Sequence, residues 1–276
     1  MNFPIVEHNP YVDSFFSPNN WTKQKRGSYD LVIDLHNSAH SRKFRFNSRT
    51  QIIRTDKMPI RKWLMLLFRI NLLNKIHVVS NHIKPLHILG ISDDGLGLDL
   101  HINSQPSLVE ALDGISNKTV INVGGSKITK RIPKSLVKSL TSSSSQVFIL
   151  VGGEDVFEDY KDFSKDNVIN LVHKLKLKET LYVVKECKQL ITGDSALMHA
   201  AAAFHKKQIV LWGSTSDDFG FYPYYGSKNI DKSIHITKNL NCQPCSKIGK
   251  KSCPKGHMRC LMDISAKEVL LSINEK

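Results

Sequence analysis

Residues 191–204 read ITGDSALMHAAAAF, and they pass from an apolar run through a Gly-Asp-Ser turn into an alanine-rich segment. A short apolar run ended by glycine is typical of a buried strand, and alanine is a strong helix former. Small alanine side chains also let a helix pack close to the sheet beneath it. The pattern therefore predicts a strand that leads directly into a helix, with Asp194 and Ser195 at the helix N-terminus.

The same strand–turn–helix unit recurs on both sides of this segment. Helices are predicted from Pro133 to about residue 140, from about Lys178, at 195–204, and after the Ser265–Glu268 capping box. Apolar strands are predicted at 118–123, 146–151, 168–171, 189–192 and 208–212. Alternating strands and helices of this kind predict an α/β fold with a parallel sheet covered on both faces.

Three of the predicted strand ends carry groups suited to a nucleotide. Ligands of open parallel sheets bind beyond the carboxyl ends of the strands, where glycine amides, helix N-termini and lysines favour phosphates. An acidic group there suits ribose hydroxyls or a base amine. The candidate residues are Gly124, Gly125, Ser126, Lys130, Glu154, Asp194, Ser195, Ala196 and His199. Each loop alone also has a structural explanation, with Asp194 as a helix cap and His199 as a packing residue.

The first half of the chain is less regular. A strand at 29–35 that ends at Asp34 leads into the loop HNSAHSRKF, and helices are predicted at 60–74 and at 77–91, the second interrupted near Pro85. The chain then becomes polar and extended. We place the domain boundary near residues 100–108, which gives domains of residues 1–105 and 106–276.

The composition favours anionic partners without identifying one. The net charge is +14, and residues 42–62 contain eight basic residues and one acidic residue. Phosphates, an acidic lipid surface or nucleic acid would suit this charge, and so would a solubilising surface. A nucleic-acid module would leave the predicted strand-end loops without a role, so we expect no nucleic-acid partner. We find no secretory signal and no apolar run near the roughly 20 residues of a membrane span, and we expect a cytoplasmic protein.

Four of the five cysteines fall within one short segment near the C-terminus. They are Cys242, Cys245, Cys253 and Cys260. Four thiolates in a reducing compartment suit a tetrahedral structural metal site, with zinc first and iron second. His257 could replace one cysteine, and free thiols or an oxidised pair are the alternatives. We expect no organic cofactor.

Taken together, these segments resemble glycosyltransferase family 9, the ADP-heptose:lipopolysaccharide heptosyltransferases. The resemblance begins near Pro10 and continues to the C-terminus. It is carried by YDLVIDLHNSAHSRKF, HVVSNHIKPLHILGI, GGSKITKRIP, LITGDSALMHAAAAF and CQPC…CPKGHMRC. It implies a GT-B-like α/β fold of two facing Rossmann-like domains with parallel sheets. The donor nucleotide sugar would bind the C-terminal domain and the acceptor the N-terminal one.

The resemblance also implies roles for individual residues. Lys130 is expected to neutralise the donor diphosphate, which is its catalytic role, and Glu154 to contact the adenosine, with Asp155 and Glu158 as alternatives. Residues 194–199 match the family's donor-binding Asp-Ser/Thr-Gly-x-x-His pattern, with Ala196 in place of the glycine. Four residues fall on the acceptor side: Asp34, His36, His40 and Arg42. His40 stands where the family usually has lysine or arginine.

The implied function is inverting transfer of a heptose-type sugar from an ADP-sugar donor to a lipid-linked lipopolysaccharide core acceptor. The basic residues 42–62 and the helix after them are expected to contact the anionic inner-membrane surface, although core packing also explains that helix. The family's opening strand, Gly-Asp loop and helix, which supply the catalytic base, have no match in this sequence. We therefore expect an incomplete N-terminal domain. The alternative function is a catalytically degenerate nucleotide-sugar-binding or scaffolding protein.

Overall fold

A computed structural model describes residues 3–16, 29–42, 51–102 and 114–274, with positions 3, 4, 40 and 42 described by their backbone alone. The chain contains a small parallel strand pair in its first half and a large parallel sheet in its second half. The predicted domain boundary at residues 105–106 lies outside the described residues.

The large sheet confirms the predicted parallel α/β arrangement. Its strands are β3 (Thr119–Asn122), β4 (Phe148–Val151), β5 (Val168–Asn170), β6 (Gln189–Gly193), β7 (Lys207–Leu211) and β8 (Ser233–Ile236). They lie side by side in the order β5-β4-β3-β6-β7-β8, and every neighbouring pair is parallel. All the carboxyl ends therefore lie along one edge. The sequence did not predict β8, an edge strand.

Helices cover both faces of this sheet. They are α5 (Lys134–Ser142), α6 (Phe157–Tyr160), α7 (Leu177–Glu186), α8 (Ala196–Ala203), α9 (Arg259–Met262) and α10 (Ala266–Asn274). Adjacent residues of a strand point to opposite faces, so Ile121 packs with the α5 and α10 side, and Val120 with the α7 and α8 side. Both faces are buried, which explains why the central strands are continuous apolar runs.

The first half contains two strands and four helices within its described residues. The strands β1 (Leu31–Asp34) and β2 (Gln51–Arg54) pair in parallel, and β2 was not predicted. The helices are α1 (Phe3–Val6), α2 (Ala39–Arg42), α3 (Pro59–Phe68) and α4 (Val78–Ile83), the last followed by a 3₁₀ turn at Lys84–Leu89. This turn contains Pro85 and confirms the interruption. The prediction of helix at 69–74 is wrong, because Arg69 adopts left-handed backbone (φ 60°) and ends α3.

Residues 75–97 attach the first half to the loop that follows β7. Gly220 has φ 77°, and a Cβ on it would lie 2.2 Å from the carbonyl oxygen of Ile76. His77 Nδ1 accepts from the backbone N–H of Val79 (3.1 Å), so Nε2 carries the proton and donates to the carbonyl of Tyr222 (2.8 Å). Burial lowers the pKa of His77 to about 4. This contact is therefore made by a neutral imidazole at neutral pH.

Candidate functional site

A cleft of about 710 Å3 lies at the carboxyl edge of the large sheet, beyond β3, β4 and β6. It is lined by Asn122, Gly124, Gly125, Ser126, Lys130, Gly152, Gly153, Asp155, Leu175, Leu177, Thr180, Asp194, Ser195, Ala196, Leu197 and His199. Eight of the nine predicted donor-side residues are among them. Glu154 is not, whereas its alternative Asp155 is. Three loops far apart in sequence thus share one cavity.

Backbone forms part of the cleft because glycines bring two strand ends together. A Cβ on Gly124 would lie 3.2 Å from the Cα of Gly152, and a Cβ on Gly152 would lie 2.7 Å from Val156 Cγ2. A side chain would therefore clash at Gly152 and would be tightly packed at Gly124. The paired glycines therefore shape the cleft by close approach of backbone, while the N–H groups of Gly124 and Gly125 donate to Asn122 and Asp155.

Asn122 connects the ends of β3 and β6. Its side-chain amide donates to the hydroxyls of Thr192 (3.1 Å) and Ser195 (3.0 Å), and its carbonyl oxygen accepts from the N–H of Gly124 (3.2 Å). Asn122 is buried, and its hydrogen bond to Thr192 is shielded from water. Sequence analysis missed Asn122, although a polar residue at the end of an apolar strand was a usable signal.

The N-terminus of α8 opens into the same cleft. Ser195 is the N-cap, and its hydroxyl accepts from the N–H of Met198 (3.4 Å). The first turn of a helix has further N–H groups without intrahelical partners, and the helix dipole makes this end partly positive. Ala196 and Leu197 line the cleft from this turn. Ala200, Ala201 and Ala202 of α8 are buried, which fixes the helix position.

Lys130 and Asp194 form an ion pair inside the cleft. Lys130 Nζ lies 2.9 Å from Asp194 Oδ2, and their side chains are 14% and 11% exposed. Gly193 allows this approach, because a Cβ there would lie 2.1 Å from the carbonyl oxygen of Lys130. An ammonium group has three donors, so Lys130 can contact Asp194 and still donate to a second anion.

His199 lies one turn into α8 and also lines the cleft. Burial lowers its pKa, while the carboxylate of Asp194 raises it and Lys130 lowers it. The net shift is downward, so the imidazole is neutral at neutral pH. A neutral imidazole can donate one hydrogen bond and accept one, which suits the hydroxyl groups of a sugar.

Asp155 and Arg131 join two of the glycine loops. Asp155 Oδ2 accepts from the N–H of Gly125 (2.9 Å) and lies 3.1 Å from Arg131 Nη2. Arg131 in turn donates through Nε to the carbonyl of Gly125 (2.7 Å). Asp155 was predicted only as an alternative to Glu154, and Arg131 was not predicted. Both residues fix the loop from which Gly125 and Ser126 line the cleft.

Two of the four predicted acceptor-side residues, Asp34 and His36, have side chains that the structure describes. Asp34 is buried, and its carboxylate accepts from the N–H of Asn37 (2.7 Å) and the hydroxyl of Ser41 (2.9 Å), so it stabilises the turn after β1. His36 is exposed in the same turn. The side chains of His40 and Arg42 lie outside the described residues. None of the described acceptor-side residues lines the donor cleft.

The four C-terminal cysteines line a second, small cavity of about 20 Å3 together with His257. All four are free thiols, so no oxidised pair is present among them. Burial, together with the three neighbouring thiols, raises the pKa of Cys260 to about 11. Burial also raises the pKa of Cys253, but four backbone N–H groups lower it by more.

The donor chemistry of this cysteine cluster fits a structural metal, because all four cysteines line one small cavity and backbone N–H groups lower the pKa of Cys253. The side chains are not gathered around a common centre. Within the described ranges, no group of three or more His, Cys, Asp or Glu side chains has the arrangement of a metal site. Likewise, no described helix has both the length and the apolar character needed to cross a membrane.

A parallel sheet flanked by helices, a cleft at its carboxyl edge and a second parallel strand pair define a Rossmann-like α/β protein. Residues 21–255 match the model of glycosyltransferase family 9 (heptosyltransferase). The chain belongs to this family. This match confirms the resemblance to glycosyltransferase family 9 that the sequence predicted.

Individual relatives agree with this assignment. The chain is 30% identical to lipooligosaccharide heptosyltransferase 2 of Haemophilus influenzae over 123 residues, covering 45% of this chain and 33% of the relative. It is 30% identical to lipopolysaccharide heptosyltransferase 2 of Escherichia coli over 105 residues, covering 38% of this chain and 28% of the relative. The chain thus spans about a third of the length of the curated relatives that it matches.

Solved structures show the same fold. A glycosyltransferase family 9 protein from Veillonella parvula superposes with a TM-score of 0.73 at 18% identity, covering 98% of this chain and 84% of that one. ADP-heptose lipopolysaccharide heptosyltransferase II of E. coli superposes with a TM-score of 0.55 at 21% identity, covering 91% and 76%. The GT-B-like arrangement of Rossmann-like domains is confirmed at the level of the fold.

Proposed function

We propose that the protein transfers a heptose-type sugar from an ADP-sugar donor to a lipopolysaccharide core acceptor, with inversion at the anomeric carbon. The observation that carries the proposal is the Lys130–Asp194 pair beside the N-terminus of α8, in one cleft with the glycine loops of β3 and β4. Family membership supports transfer of a sugar, and the positive groups of the cleft support a diphosphate donor.

The chemistry of this transfer gives Lys130 its role. An acceptor hydroxyl oxygen forms a bond to the anomeric carbon, the bond from that carbon to the diphosphate breaks, and the bonding electrons leave on ADP. Negative charge therefore grows on the diphosphate in the transition state. A fixed ammonium group and helix N–H groups stabilise this charge without reorganising. The hydroxyl proton passes to a general base, to which the proposal assigns no residue.

Donor binding and turnover are tested separately. Calorimetry with ADP should give a saturable site, and incubation with ADP-heptose and a heptose-deficient lipopolysaccharide core should release ADP. Proton NMR of the product should report inverted anomeric configuration. Failure to bind ADP at millimolar concentration would refute the donor assignment, whereas a product of retained configuration would refute the mechanism alone.

A second candidate is a nucleotide-sugar-binding or scaffolding protein without turnover. The observation that favours it is Asp34, because both carboxylate oxygens of this predicted acceptor-side group accept hydrogen bonds within its own turn. A carboxylate held in this way is a poor base for an acceptor hydroxyl. ADP binding without release of ADP from ADP-heptose would favour this candidate, and measurable transfer would exclude it.

We also propose that Cys242, Cys245, Cys253 and Cys260 hold a structural zinc ion, with iron as the alternative. Zinc would cross-link the loop that contains three of these cysteines to α9, which contains Cys260, and a closed four-sulfur shell has no position for a substrate. Elemental analysis of protein purified without added metal should give about one equivalent, and thiol titration should find these cysteines protected. No metal together with four reactive thiols would contradict the proposal.

We further propose that the protein is cytoplasmic and contacts the anionic surface of the inner membrane. Helix α3 buries Lys62 and Met65 on one side and exposes Ile60, Trp63 and Leu67 on the other. An exposed apolar stripe within a basic segment suits an anionic lipid surface. Vesicles that contain phosphatidylglycerol should bind the protein, and Trp63→Ser should weaken binding several-fold. Equal binding by Trp63→Ser and the wild type would refute this contact.

A further inference from the structure

Two lysine side chains lie over the ring of Phe221. Lys62 Nζ is 5.6 Å from the ring centroid and Lys247 Nζ is 6.0 Å from it. Lys62 comes from the buried side of α3 and is 9% exposed, whereas Lys247 comes from the loop between Cys245 and Cys253. We call Lys62 and Lys247 the lysine pair. Two distant parts of the chain thus bring like charges to one aromatic ring.

The lysine pair has no counter-charge among the described residues. Neither ammonium group is in an ion pair or a hydrogen bond there, and the acidic group that acts on Lys62, Asp56, is exposed and accepts from the N–H of Met58 (2.8 Å). Burial first, and then Lys247 and Lys57, lower the pKa of Lys62 to about 8, against a rise caused by Asp56. Contact with the ring of Phe221 offsets only part of the cost of burying this charge.

The loop that carries Lys247 also contacts the donor cleft. A Cβ on Gly249 would lie 2.6 Å from Lys130 Cδ, and the N–H of Lys250 donates to the hydroxyl of Thr129 (2.8 Å). Two residues of extended chain span at most about 7 Å, so the backbone at Lys247 is close to the Lys130 side chain. The loop that carries Lys247 therefore borders the donor cleft, although neither lysine of the pair lines it.

We propose that Lys62 and Lys247 bind one anionic group of the acceptor, a phosphate or a sugar carboxylate. An oxyanion has several acceptor oxygens and can receive hydrogen bonds from both ammonium groups at once, while Phe221 forms an apolar floor beneath it. Binding would supply the counter-charge that the described residues lack. The claim that the anion belongs to the acceptor rests on the proposed function. The claim that the lysine pair binds an anion does not.

The test measures the affinity of inorganic phosphate from the rise in thermal unfolding temperature, with sodium chloride at equal ionic strength as the reference. Every variant carries Lys130→Ala, so that the donor cleft lacks its ammonium group. Lys62→Met retains the length of the side chain and removes the charge, and Lys247→Met does the same at a more accessible position. Lys185→Met, an exposed lysine of α7, is the matched control.

We expect phosphate affinity to fall at least about tenfold in Lys62→Met and in Lys247→Met, as loss of a charge-assisted hydrogen bond predicts, and to stay unchanged in Lys185→Met. Lys62→Arg should retain most of the affinity. Equal phosphate affinity in all these variants would overturn the proposal and identify Lys62 as a packing residue. If Lys62→Met does not fold, Lys247→Met decides by the same criterion.

Further ligands identify the source of the anion. An aldose phosphate should bind more tightly than inorganic phosphate, and this gain should disappear in Lys247→Met. A Lys247→Met effect on phosphatidylglycerol vesicles without any effect on the two soluble phosphates would overturn the acceptor assignment. ADP binding is measured in parallel in protein with Lys130 intact, so that loss of the donor site and loss of the lysine pair are distinguished.

Discussion

Replacement of Lys130 by alanine tests the centre of the proposed donor site. In the structure the Lys130 ammonium group is 2.9 Å from the carboxylate of Asp194, and both side chains are largely buried. The helix N-terminus and the glycine loops remain after the substitution, so the cleft keeps its shape and the partial positive charge of the helix end. The variant therefore isolates the full positive charge.

The expected weakening of ADP binding follows from two contributions. A hydrogen bond to a charged group contributes about 1.5–3 kcal/mol, which corresponds to a dissociation constant about 10- to 150-fold higher. The dipole of α8 contributes about 0.3–1 kcal/mol and is retained, so binding is weakened and not abolished. Without Lys130, the buried carboxylate of Asp194 also repels the diphosphate. We therefore expect the upper half of this range.

Calorimetric titration with ADP measures the effect, with Lys138→Ala, an exposed lysine of α5, as the matched control. The double variant Lys130→Ala/Asp194→Asn separates the two contributions, because it removes the repulsion as well as the attraction. It should bind ADP more tightly than Lys130→Ala alone and more weakly than the wild type. A dissociation constant within twofold of the wild type in Lys130→Ala, or an equal loss in Lys138→Ala, would refute the reasoning.

Gly193→Ala should lower the free energy of unfolding by about 1–3 kcal/mol in chemical denaturation, because the new Cβ would lie 2.1 Å from the Lys130 carbonyl oxygen. Gly125→Ala, whose Cβ would meet Arg131 Cγ at 3.5 Å, should change it little, and equal effects would contradict this explanation. Asn122→Leu should cost about 1–3 kcal/mol by leaving buried hydroxyl and amide groups without their partner, and an unchanged denaturation midpoint would argue against that network. The pKa of His77 falls from 6.5 to about 4 on folding, so only the unfolded chain gains this proton between these values, and stability should drop by at most about 3 kcal/mol as the pH falls from 6.5 to 4. His77→Gln should reduce this slope, and an identical pH profile would exclude His77 as its source.

The sequence predicted the large sheet well because its signals are local. Strands β3, β4, β6 and β7 are apolar runs, and three of them are followed by glycine turns, so periodicity and turn chemistry were sufficient. Strand β2, with only two apolar residues in a basic segment, and the edge strand β8 carry no comparable signal. At Arg69 the sequence instead predicted too much helix. The apolar periodic pattern continues past this residue, but its left-handed backbone ends the helix.

Part of the site could also be predicted, because some of its signals are local in sequence. Lys130, Asp194 and the glycines belong to loops that immediately follow strands, and parallel strands bring such loops to one edge. Arg131 and Asn122 could not be assigned in this way, because their importance lies in hydrogen bonds to residues of other loops. The choice between Glu154 and Asp155 depends on the direction of two adjacent side chains, which a short 3₁₀ turn fixes.

Sequence by itself determined the fold class, the family and the loops that form the cleft, because strand periodicity, glycine turns and helix caps depend on neighbours along the chain. Tertiary structure decided the strand order, the contact between Lys130 and Asp194, and the meeting of Lys62 with Lys247 over Phe221. These depend on distances between remote segments, which form only when both faces of the sheet are buried and the ends of the strands come together at one edge.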